Sequence, residues 1–276
     1  MKQNLILAAT GKTGRRVAAR LSAAGHPIRT AARSGADVPF DLDDPATWPA
    51  ALDGVTAAYL VEPSLDSGAQ QPPRIARLVD AAVQHGVRRL VLLSAPGAER
   101  EGHPLHATDL AVRESGVEWT VLRPNWFSQN FSEDFWLPAV RSGTLALPTG
   151  QGRVPFIDAD DIADVAAAAL TEDRHAGQAY ELTGPRALTF AEAADLIAAA
   201  TGKPLRFVDL PAEEFLQQQL SYGTPTEAAQ RMTNLLVGIS TGAHAALHDG
   251  VERALGRAPR RFEDFAVAAA AAGCWS

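Results

Sequence analysis

The sequence predicts an α/β protein built on a doubly wound parallel sheet, with a smaller, mostly helical C-terminal lobe. Apolar, strand-like runs alternate with helical patterns through the first half of the 276-residue chain, which is typical of a parallel sheet. A glycine-bearing turn leads from the first apolar run directly into the first helical pattern. Residues 90–93 are apolar at every position, as expected for a strand that is covered on both faces.

The elements of the first half follow one another at short intervals. Helical patterns end at Gly25, Gly86 and Gly116, and glycine is the residue most typical of a helix C-terminus. The predicted strands cover residues 3–8, 27–32, 56–61, 89–94 and 118–123. The predicted helices between them cover residues 12–24, 45–52, 72–85 and 104–115.

The pattern changes after Pro124, where residues 125–138 are rich in aromatic side chains. Thr189 and Glu192 have the spacing of a capping box, which predicts a helix that runs from there to about Ala200. We further predict a short strand and a helix over 154–170, strands at 180–182 and 205–208, and mostly helix over 211–272.

The first glycine-bearing turn predicts a dinucleotide site of the Rossmann type. Positions 8, 11 and 14 have the spacing of a GxxGxxG turn, although the first position is Ala8. Such a turn aims backbone N–H groups and the positive end of a helix at a pyrophosphate. Gly11 leaves room for close approach of a phosphate, and Gly14 lets the helix pack on the sheet. We expect binding to survive at Ala8, because alanine adds only a methyl group.

Arg33 ends the second predicted strand, where a dinucleotide-binding fold reads the adenosine ribose. An acidic residue there binds the 2′-hydroxyl of NAD, whereas an arginine accommodates the 2′-phosphate of NADP. No acid stands at this strand end, and the guanidinium fork suits a phosphate. The sequence therefore predicts NADP(H), preferred over NAD(H), and the alternative is that Arg33 is a solvated surface charge.

These patterns predict two domains without a linker between them. An NAD(P)-binding Rossmann domain is expected over residues 1–150. A C-terminal substrate lobe is expected over residues 151–276, interleaved with the Rossmann sheet. The length of the chain is compatible with one large α/β domain and an appended lobe.

Composition excludes several classes of partner. The formal net charge of −7 argues against nucleic acid. Cys274 is the only cysteine, so neither an internal disulfide nor a cysteine zinc cluster is expected, and no His or Cys spacing indicates a metal. The sequence contains no signal-peptide pattern and no apolar run of about 20 residues. We expect a cytoplasmic protein that is a monomer or homodimer, does not bind membranes, and acts on a small molecule.

Several phrases spread over nearly the whole chain resemble one family. They are Thr10-Gly11-Lys12-Thr13-Gly14, Ala32-Arg33-Ser34, Asp41-Leu42-Asp43-Asp44, Arg89 to Ser94, Ser115 to Phe127, Phe156 to Ala163, Tyr180 to Pro185 and Thr189 to Ala194. The chain resembles the NmrA-like group of atypical short-chain dehydrogenases/reductases, which includes type 2 NADPH:quinone reductases and ergot-alkaloid reductases. It departs from the group at Ala8, where the group usually has glycine.

The resemblance implies a cofactor site at the C-terminal ends of the strands. The loop at 10–14 would hold the pyrophosphate, and Arg33 with Lys12 the 2′-phosphate. The implied cofactor-binding residues are Thr10, Gly11, Lys12, Thr13, Gly14, Arg33, Asp41 and Leu42 beside the adenine, Val61, Glu62 and Pro63 beside the ribose and pyrophosphate, Ser94 and Ala95 beside the nicotinamide ribose, and Pro124 beside the nicotinamide. The aromatic stretch that contains Trp126, Phe127 and Phe131 would form an apolar wall of the substrate pocket. The alternative is that these rings pack in the core.

The acid–base chemistry of typical short-chain dehydrogenases is absent from the sequence. Those enzymes use a tyrosine with a lysine four residues later, and none of the three tyrosines and three lysines has this spacing. His106 is the best candidate for a proton donor, with His103 as the alternative and Asp109 one helical turn away as a group that orients it. Ser94 and Asn125 complete the predicted catalytic set. Each histidine has the alternative of being an exposed loop residue.

Without a Tyr–Lys pair, the predicted activity is hydride transfer from NADPH to an acceptor that needs little acid assistance. A quinone, an enone or an iminium of secondary metabolism is electron-poor enough to accept a hydride directly in a dry pocket. Two alternatives stay open. In the first, the chain is a non-catalytic NADP-binding redox sensor that regulates a protein partner. In the second, it is an enzyme that catalyses a cyclisation or rearrangement on the same fold.

Overall fold

The structure of the protein is a computed structural model, which describes residues 3–62 and 74–276. The strands are β1 Gln3–Leu7, β2 Ile28–Ala32, β3 Val38–Pro39, β4 Val55–Val61, β5 Arg89–Leu93, β6 Glu118–Pro124, β7 Thr144–Leu147, β8 Arg153–Val154, β9 Gln178–Leu182, β10 Leu188–Thr189 and β11 Arg206–Asp209. The α-helices are α1 Gly14–Ala23, α2 Trp48–Leu52, α3 Arg74–Gln84, α4 His106–Arg113, α5 Asn130–Glu133, α6 Leu137–Arg141, α7 Ala159–Thr171, α8 Phe190–Thr201, α9 Ala212–Ser221, α10 Thr226–Ser240, α11 Gly250–Leu255 and α12 Phe262–Ala271. Short 3-10 helices lie at Pro45–Thr47 and Asp173–His175.

Seven strands form one sheet in the order β3-β2-β1-β4-β5-β6-β9, and every neighbouring pair is parallel. The order reverses direction beside β1, so the chain winds outward from the centre in both directions. The predicted α/β fold with a doubly wound parallel sheet is therefore confirmed. In such a sheet, ligands bind outside the carboxyl ends of the strands near the point of reversal.

Helices cover both faces of this sheet. Leu5 and Leu90 belong to a fully buried cluster with side chains of α2, α3 and α4 on one face. Alternate side chains of each strand point to the opposite face, which is covered by α1 and α7. Arg20 joins these two helices through ion pairs with Asp160, at 2.6 Å, and with Asp164. Burial on both faces explains the continuous apolar runs that predicted the strands.

The chain divides into two compact units whose bounds differ from the predicted division at residue 150. The sheet unit contains Met1–Pro124, Ala159–Leu182 and Asp249–Arg257, and the aromatic unit contains Asn125–Asp158, Thr183–His248 and Ala258–Ser276. The chain leaves the sheet directly after β6, because residues 125–147 pack into the core of the aromatic unit through side chains such as Phe131 and Leu145. Later in the chain, α7, β9 and α11 belong to the sheet unit again.

The aromatic unit is built around a cluster of rings. Phe131, Phe156, Phe190 and Phe262 are buried together with Trp136, and their ring centroids lie about 5–6 Å apart. Two small sheets flank this cluster, one of antiparallel β8 and β10 and one of parallel β7 and β11. The remaining length of the unit is mostly helical, as the sequence predicts.

Most predicted elements coincide with observed ones to within a few residues. The capping box at the start of α8 is present, with the Thr189 hydroxyl accepting from Glu192 N at 3.1 Å and the Glu192 carboxylate accepting from Thr189 N at 2.8 Å. The sequence missed β3, β7 and β10, which have two to four residues each. The first two residues of the predicted 72–85 helix lie outside the described residues. Over residues 3–62 and 74–276, no helix is both long and apolar enough to cross a membrane.

Candidate cofactor and active site

The loop between β1 and α1 forms a tight cradle. Gly11 N donates to Ala8 O at 2.8 Å. A Cβ atom added at Gly14 would lie 2.2 Å from Ala8 O and 2.9 Å from Leu7 O, so only glycine lets α1 begin against the end of β1. At Gly11 the same atom would lie 3.1 Å from Ala8 O. This is the close backbone approach that the glycine spacing predicts.

Ala8 has a backbone conformation that the sequence alone did not reveal. Its φ is +48°, in the left-handed region that L-residues other than glycine rarely adopt. Among the described residues it is the only one other than glycine with a positive φ. The expectation that alanine adds only a methyl group here is therefore incomplete, because alanine also adds backbone strain.

The N-terminus of α1 supplies the donors of the cradle. Thr13 precedes the helix, and its side chain makes no capping hydrogen bond to the first turn. The first N–H groups of a helix have no partner inside the helix, and the helix dipole makes this end positive. The Thr13 side chain instead lies beside the hydroxyl of Tyr59 on β4. Burial raises the pKa of Tyr59, and the contact with Thr13 opposes this only in part. This glycine cradle at a helix N-terminus fits a pyrophosphate.

Arg33 and Ser34 are exposed at the end of β2. A Cβ atom added at Gly35 would lie 3.4 Å from the Thr10 methyl, so the loop after β2 runs beside the cradle. Arg33 makes no hydrogen bond or ion pair within residues 3–62 and 74–276. Asp37 in the same loop is engaged with Thr30, whose N donates to the carboxylate at 2.9 Å. That backbone hydrogen bond lowers the pKa of Asp37.

Two of the residues predicted to lie beside the adenine have structural roles. Leu42 is buried in the hydrophobic cluster of the sheet unit, so its side chain packs in the core rather than on a ligand surface. The carbonyl of Asp41 accepts hydrogen bonds from Trp48 Nε1 at 3.0 Å and from Thr47 Oγ1 at 3.1 Å. Asp41 therefore anchors the turn before α2.

An arginine clamp lies beside the end of β4. Arg74 forms ion pairs with Glu62 and, at 2.7 Å, with Asp43. The Glu62 carboxylate is almost fully buried by this pairing. The clamp ties the end of β4 to the segment after β3. Val61 is the last residue of β4, and Pro63 lies outside the described residues.

A buried polar cluster lies at the C-terminal ends of β5 and β6. Arg123 on β6 donates to both carboxylate oxygens of Asp109 at 3.0–3.1 Å. Arg123 Nη1 also lies 3.2 Å from carboxylate oxygens of Glu99 and Glu181. Burial opposes the charge of Arg123, but these carboxylates leave its pKa raised. Ser94, directly after β5, donates a long hydrogen bond of 3.5 Å to Asp109.

The predicted role of Asp109 is therefore wrong. Asp109 pairs with Arg123, whereas Nδ1 of His106 lies 3.2 Å from the carbonyl of Ala98. Nδ1 of His103 accepts from Leu105 N at 3.1 Å, and burial lowers the pKa of His103. Both histidines are half-buried in the segment after β5, and each has its Nδ1 engaged with the backbone.

Asn125 and Trp126 open the aromatic unit. Asn125 Oδ1 accepts from Trp126 N at 2.8 Å, and its Nδ2 donates to His244 O at 3.1 Å, so Asn125 holds two segments of this unit together. Trp126 is half-buried and stacks on Trp136 with a centroid distance of 5.5 Å. Phe131 is fully buried among other rings, so its side chain packs in the core of this unit, which agrees with the second of the two expectations for the aromatic stretch. Phe127 is half-buried and follows Trp126.

Sequence reasoning missed four residues at or near the predicted sites: Tyr59, Arg74, Arg123 and His244. Arg123 lies within the Ser115 to Phe127 phrase of the family resemblance, so an arginine inside an apolar strand pattern was a usable signal. The other three gave no signal, because nothing in the local sequence indicates which residues they contact. No group of three or more His, Cys, Asp or Glu side chains in the described part of the chain is arranged to hold a metal ion.

The fold and the glycine cradle define an NAD(P)-binding protein of the Rossmann type. A model of the NmrA-like family matches residues 1–263, and the chain belongs to this family. The uncharacterized oxidoreductase YesF of Bacillus subtilis (strain 168) is 37% identical over 281 residues, which cover 98% of this chain and 97% of that protein. An NAD(P)H azoreductase of Xenophilus azovorans is 35% identical over 285 residues, with 97% and 98% covered.

Solved structures share the same fold. Triphenylmethane reductase of Citrobacter sp., whose structure is a complex with NADP(H), superposes with a TM-score of 0.82 at 23% identity, covering 98% of this chain and 100% of that chain. The predicted family resemblance is confirmed. The predicted class of enzyme, an oxidoreductase, is also confirmed. The two relatives above match over nearly their whole length, and one is named an oxidoreductase and the other an azoreductase.

Proposed function

We propose that the protein is an NADPH-dependent reductase that transfers a hydride to a small, electron-poor acceptor such as a quinone, an enone or an iminium. The observation that carries the cofactor preference is Arg33. It is exposed, unpaired among the described residues, and borders the cradle through the neighbouring loop and Thr10. A guanidinium in this position is available for a 2′-phosphate.

The relatives support the acceptor class. One of them is named as an azoreductase and a structural neighbour as a triphenylmethane reductase, and both names refer to reduction of conjugated compounds. Such acceptors take a hydride without a strong general acid, which agrees with the missing Tyr–Lys pair. These names describe the substrates of those proteins. The acceptor of this chain is identified with a panel of substrates.

Different residues bind the cofactor and the acceptor in the proposed reaction. The cradle at 10–14 binds the pyrophosphate through backbone N–H groups. Arg33 binds the 2′-phosphate, and Ser94 hydrogen-bonds the nicotinamide side of the cofactor or the acceptor. His106, with its Nδ1 held by Ala98 O, keeps Nε2 available for a proton at the acceptor. The bound reduced nicotinamide supplies the hydride.

The experiment is a calorimetric titration of NADPH and NADH into wild type, Arg33→Ala and the control Arg88→Ala. Arg88 is an equally exposed arginine at the opposite, N-terminal end of a strand, directly before β5. A charged hydrogen bond contributes about 1.5–3 kcal/mol, so Arg33→Ala should weaken NADPH binding roughly 10- to 150-fold and leave NADH binding nearly unchanged. Arg88→Ala should bind both cofactors like wild type.

NADPH oxidation against quinones, enones and cyclic imines is then measured in the same preparations. Substrate-dependent oxidation supports the reductase. Equal losses of NADPH and NADH affinity in Arg33→Ala would contradict the 2′-phosphate assignment. Tight binding of NADPH without oxidation by any acceptor favours the redox sensor or the non-redox enzyme instead.

A further inference from the structure

His244 is a half-buried histidine that the proposed mechanism does not use. It lies in the loop after α10, within the aromatic unit. Neither of its ring nitrogens has a hydrogen-bond partner in the part of the chain that the structure describes. Its backbone carbonyl, in contrast, is held by Asn125 Nδ2 at 3.1 Å. The chain therefore fixes the position of this residue and leaves its imidazole without a polar contact.

The ring of His244 stands beside Trp126. The two ring centroids are 6.5 Å apart, and the ring planes are nearly perpendicular, at 82°. Trp126 itself stacks on Trp136 and is only partly covered. Asn125, Trp126 and His244 thus form one hydrogen-bonded and packed group, which we call the imidazole corner. Its first two residues come directly after β6, and His244 follows α10.

We propose that His244 is an acceptor-binding residue: its imidazole N–H donates a hydrogen bond to the carbonyl oxygen or imine nitrogen of a planar acceptor that packs on Trp126. The proposal rests on the reductase function proposed above. A flat conjugated ring suits an indole face, and a ring that carries a carbonyl needs one directional donor at its edge. The imidazole corner offers both within one unit of the chain.

The protonation state of His244 fits this role. Burial lowers its pKa below the usual value, so the ring is neutral at pH 7 and one nitrogen carries a hydrogen. Addition of a hydride to the acceptor moves an electron pair onto the carbonyl oxygen. The neutral imidazole stabilises that oxygen through its N–H. A proton that the donor proposed above takes up from water and passes on completes the two-electron reduction, with a reduced nicotinamide dinucleotide as the reductant.

The variants that test this proposal are His244→Phe, His244→Gln and the control His26→Gln. Phenylalanine keeps an aromatic ring against Trp126 and removes the donor, whereas glutamine restores an N–H donor. His26 is exposed in the turn after α1, and it stands outside every site described above. The probe is 2-methyl-1,4-naphthoquinone. It is titrated into the full-length protein saturated with oxidised NADP, so binding is measured without turnover.

We expect His244→Phe to weaken binding of the naphthoquinone by about tenfold, as the loss of one hydrogen bond requires, with NADPH affinity unchanged. His244→Gln should recover part of the loss, and His26→Gln should match wild type. In the wild-type protein with 15N-labelled histidine, one imidazole signal that is missing from His244→Gln should shift when the quinone is added.

Unchanged quinone binding in His244→Phe, or an unshifted His244 signal in wild type, would overturn the proposal. If wild type oxidises no NADPH with the quinone or with any other acceptor of the panel, while the His244 signal shifts and quinone binding depends on His244, the reductase function fails and the acceptor contact stands. If wild type reduces the quinone and the His244→Phe variant does so equally well, the contact fails and the reductase stands.

Discussion

Replacing Ala8 by glycine should stabilise the protein, because Ala8 has a positive φ of +48° at the end of β1. A left-handed conformation costs an L-residue about 1–2 kcal/mol relative to glycine. Glycine also increases the conformational entropy of the unfolded chain, which destabilises the folded state by about 0.4–1 kcal/mol. The difference is a net gain of up to about 1.6 kcal/mol, centred near ~0.8 kcal/mol, in the free energy of unfolding of Ala8→Gly.

The assay is thermal and urea unfolding of wild type, Ala8→Gly and Ala9→Gly. A gain of this size corresponds to a rise of about 1–4 °C in the unfolding temperature of a chain of this length. Ala9 is the matched control, since it is the adjacent alanine, is buried and has no positive φ. Ala9→Gly loses a buried methyl group and gains unfolded-state freedom, so it should destabilise by about 1 kcal/mol or more.

The two substitutions are chemically identical and should move stability in opposite directions. If Ala8→Gly and Ala9→Gly are equally destabilising, the reasoning from backbone strain is refuted. NADPH affinity should not fall in Ala8→Gly. At Gly11 and Gly14 the closest neighbouring atom is the carbonyl oxygen of residue 8, which the substitution keeps.

The remaining predictions concern two buried groups of the sheet unit. Asp109→Ala leaves the buried Arg123 without its bidentate partner and should cost about 3 kcal/mol in urea unfolding, whereas a loss below about 1 kcal/mol would show that Glu99 and Glu181 suffice. Burial lowers the pKa of His175, so the unfolded chain binds more protons than the folded one below the usual histidine pKa, and stability should fall as the pH drops from about 7 through 6.5. His175→Asn should show a smaller loss between pH 7.5 and 5.5, and an identical pH dependence would contradict this assignment.

Local patterns were sufficient for the sheet and the cradle. The apolar residues 90–93 and the spacing of Gly11 and Gly14 are short-range signals, and both the strand and the glycine-dependent close approach are present. The capping box at Thr189 is equally local, since all of its contacts lie within three residues.

The failures concern contacts between residues that are distant in sequence. Asp109 was expected to orient His106 one helical turn away, but its partner Arg123 is 14 residues further on, on a neighbouring strand. Leu42 was assigned to a ligand surface, and the packing of remote helices buries it. The Asn125–His244 contact spans 119 residues and has no sequence signal. Strand β7 escaped notice because it has four residues and pairs with a strand about 60 residues later.

The interleaving of the two units has a consequence for how this chain can be recombined. The polypeptide passes between the sheet unit and the aromatic unit five times. A gene fusion with a single crossover at residue 150 would pair β6 of one parent with β9 of the other, and Arg20 on α1 of one parent with the α7 carboxylate positions of the other. Exchange of the aromatic unit between relatives therefore requires five coordinated junctions. Change in the aromatic unit is consequently expected to proceed by point substitution rather than by shuffling of whole segments.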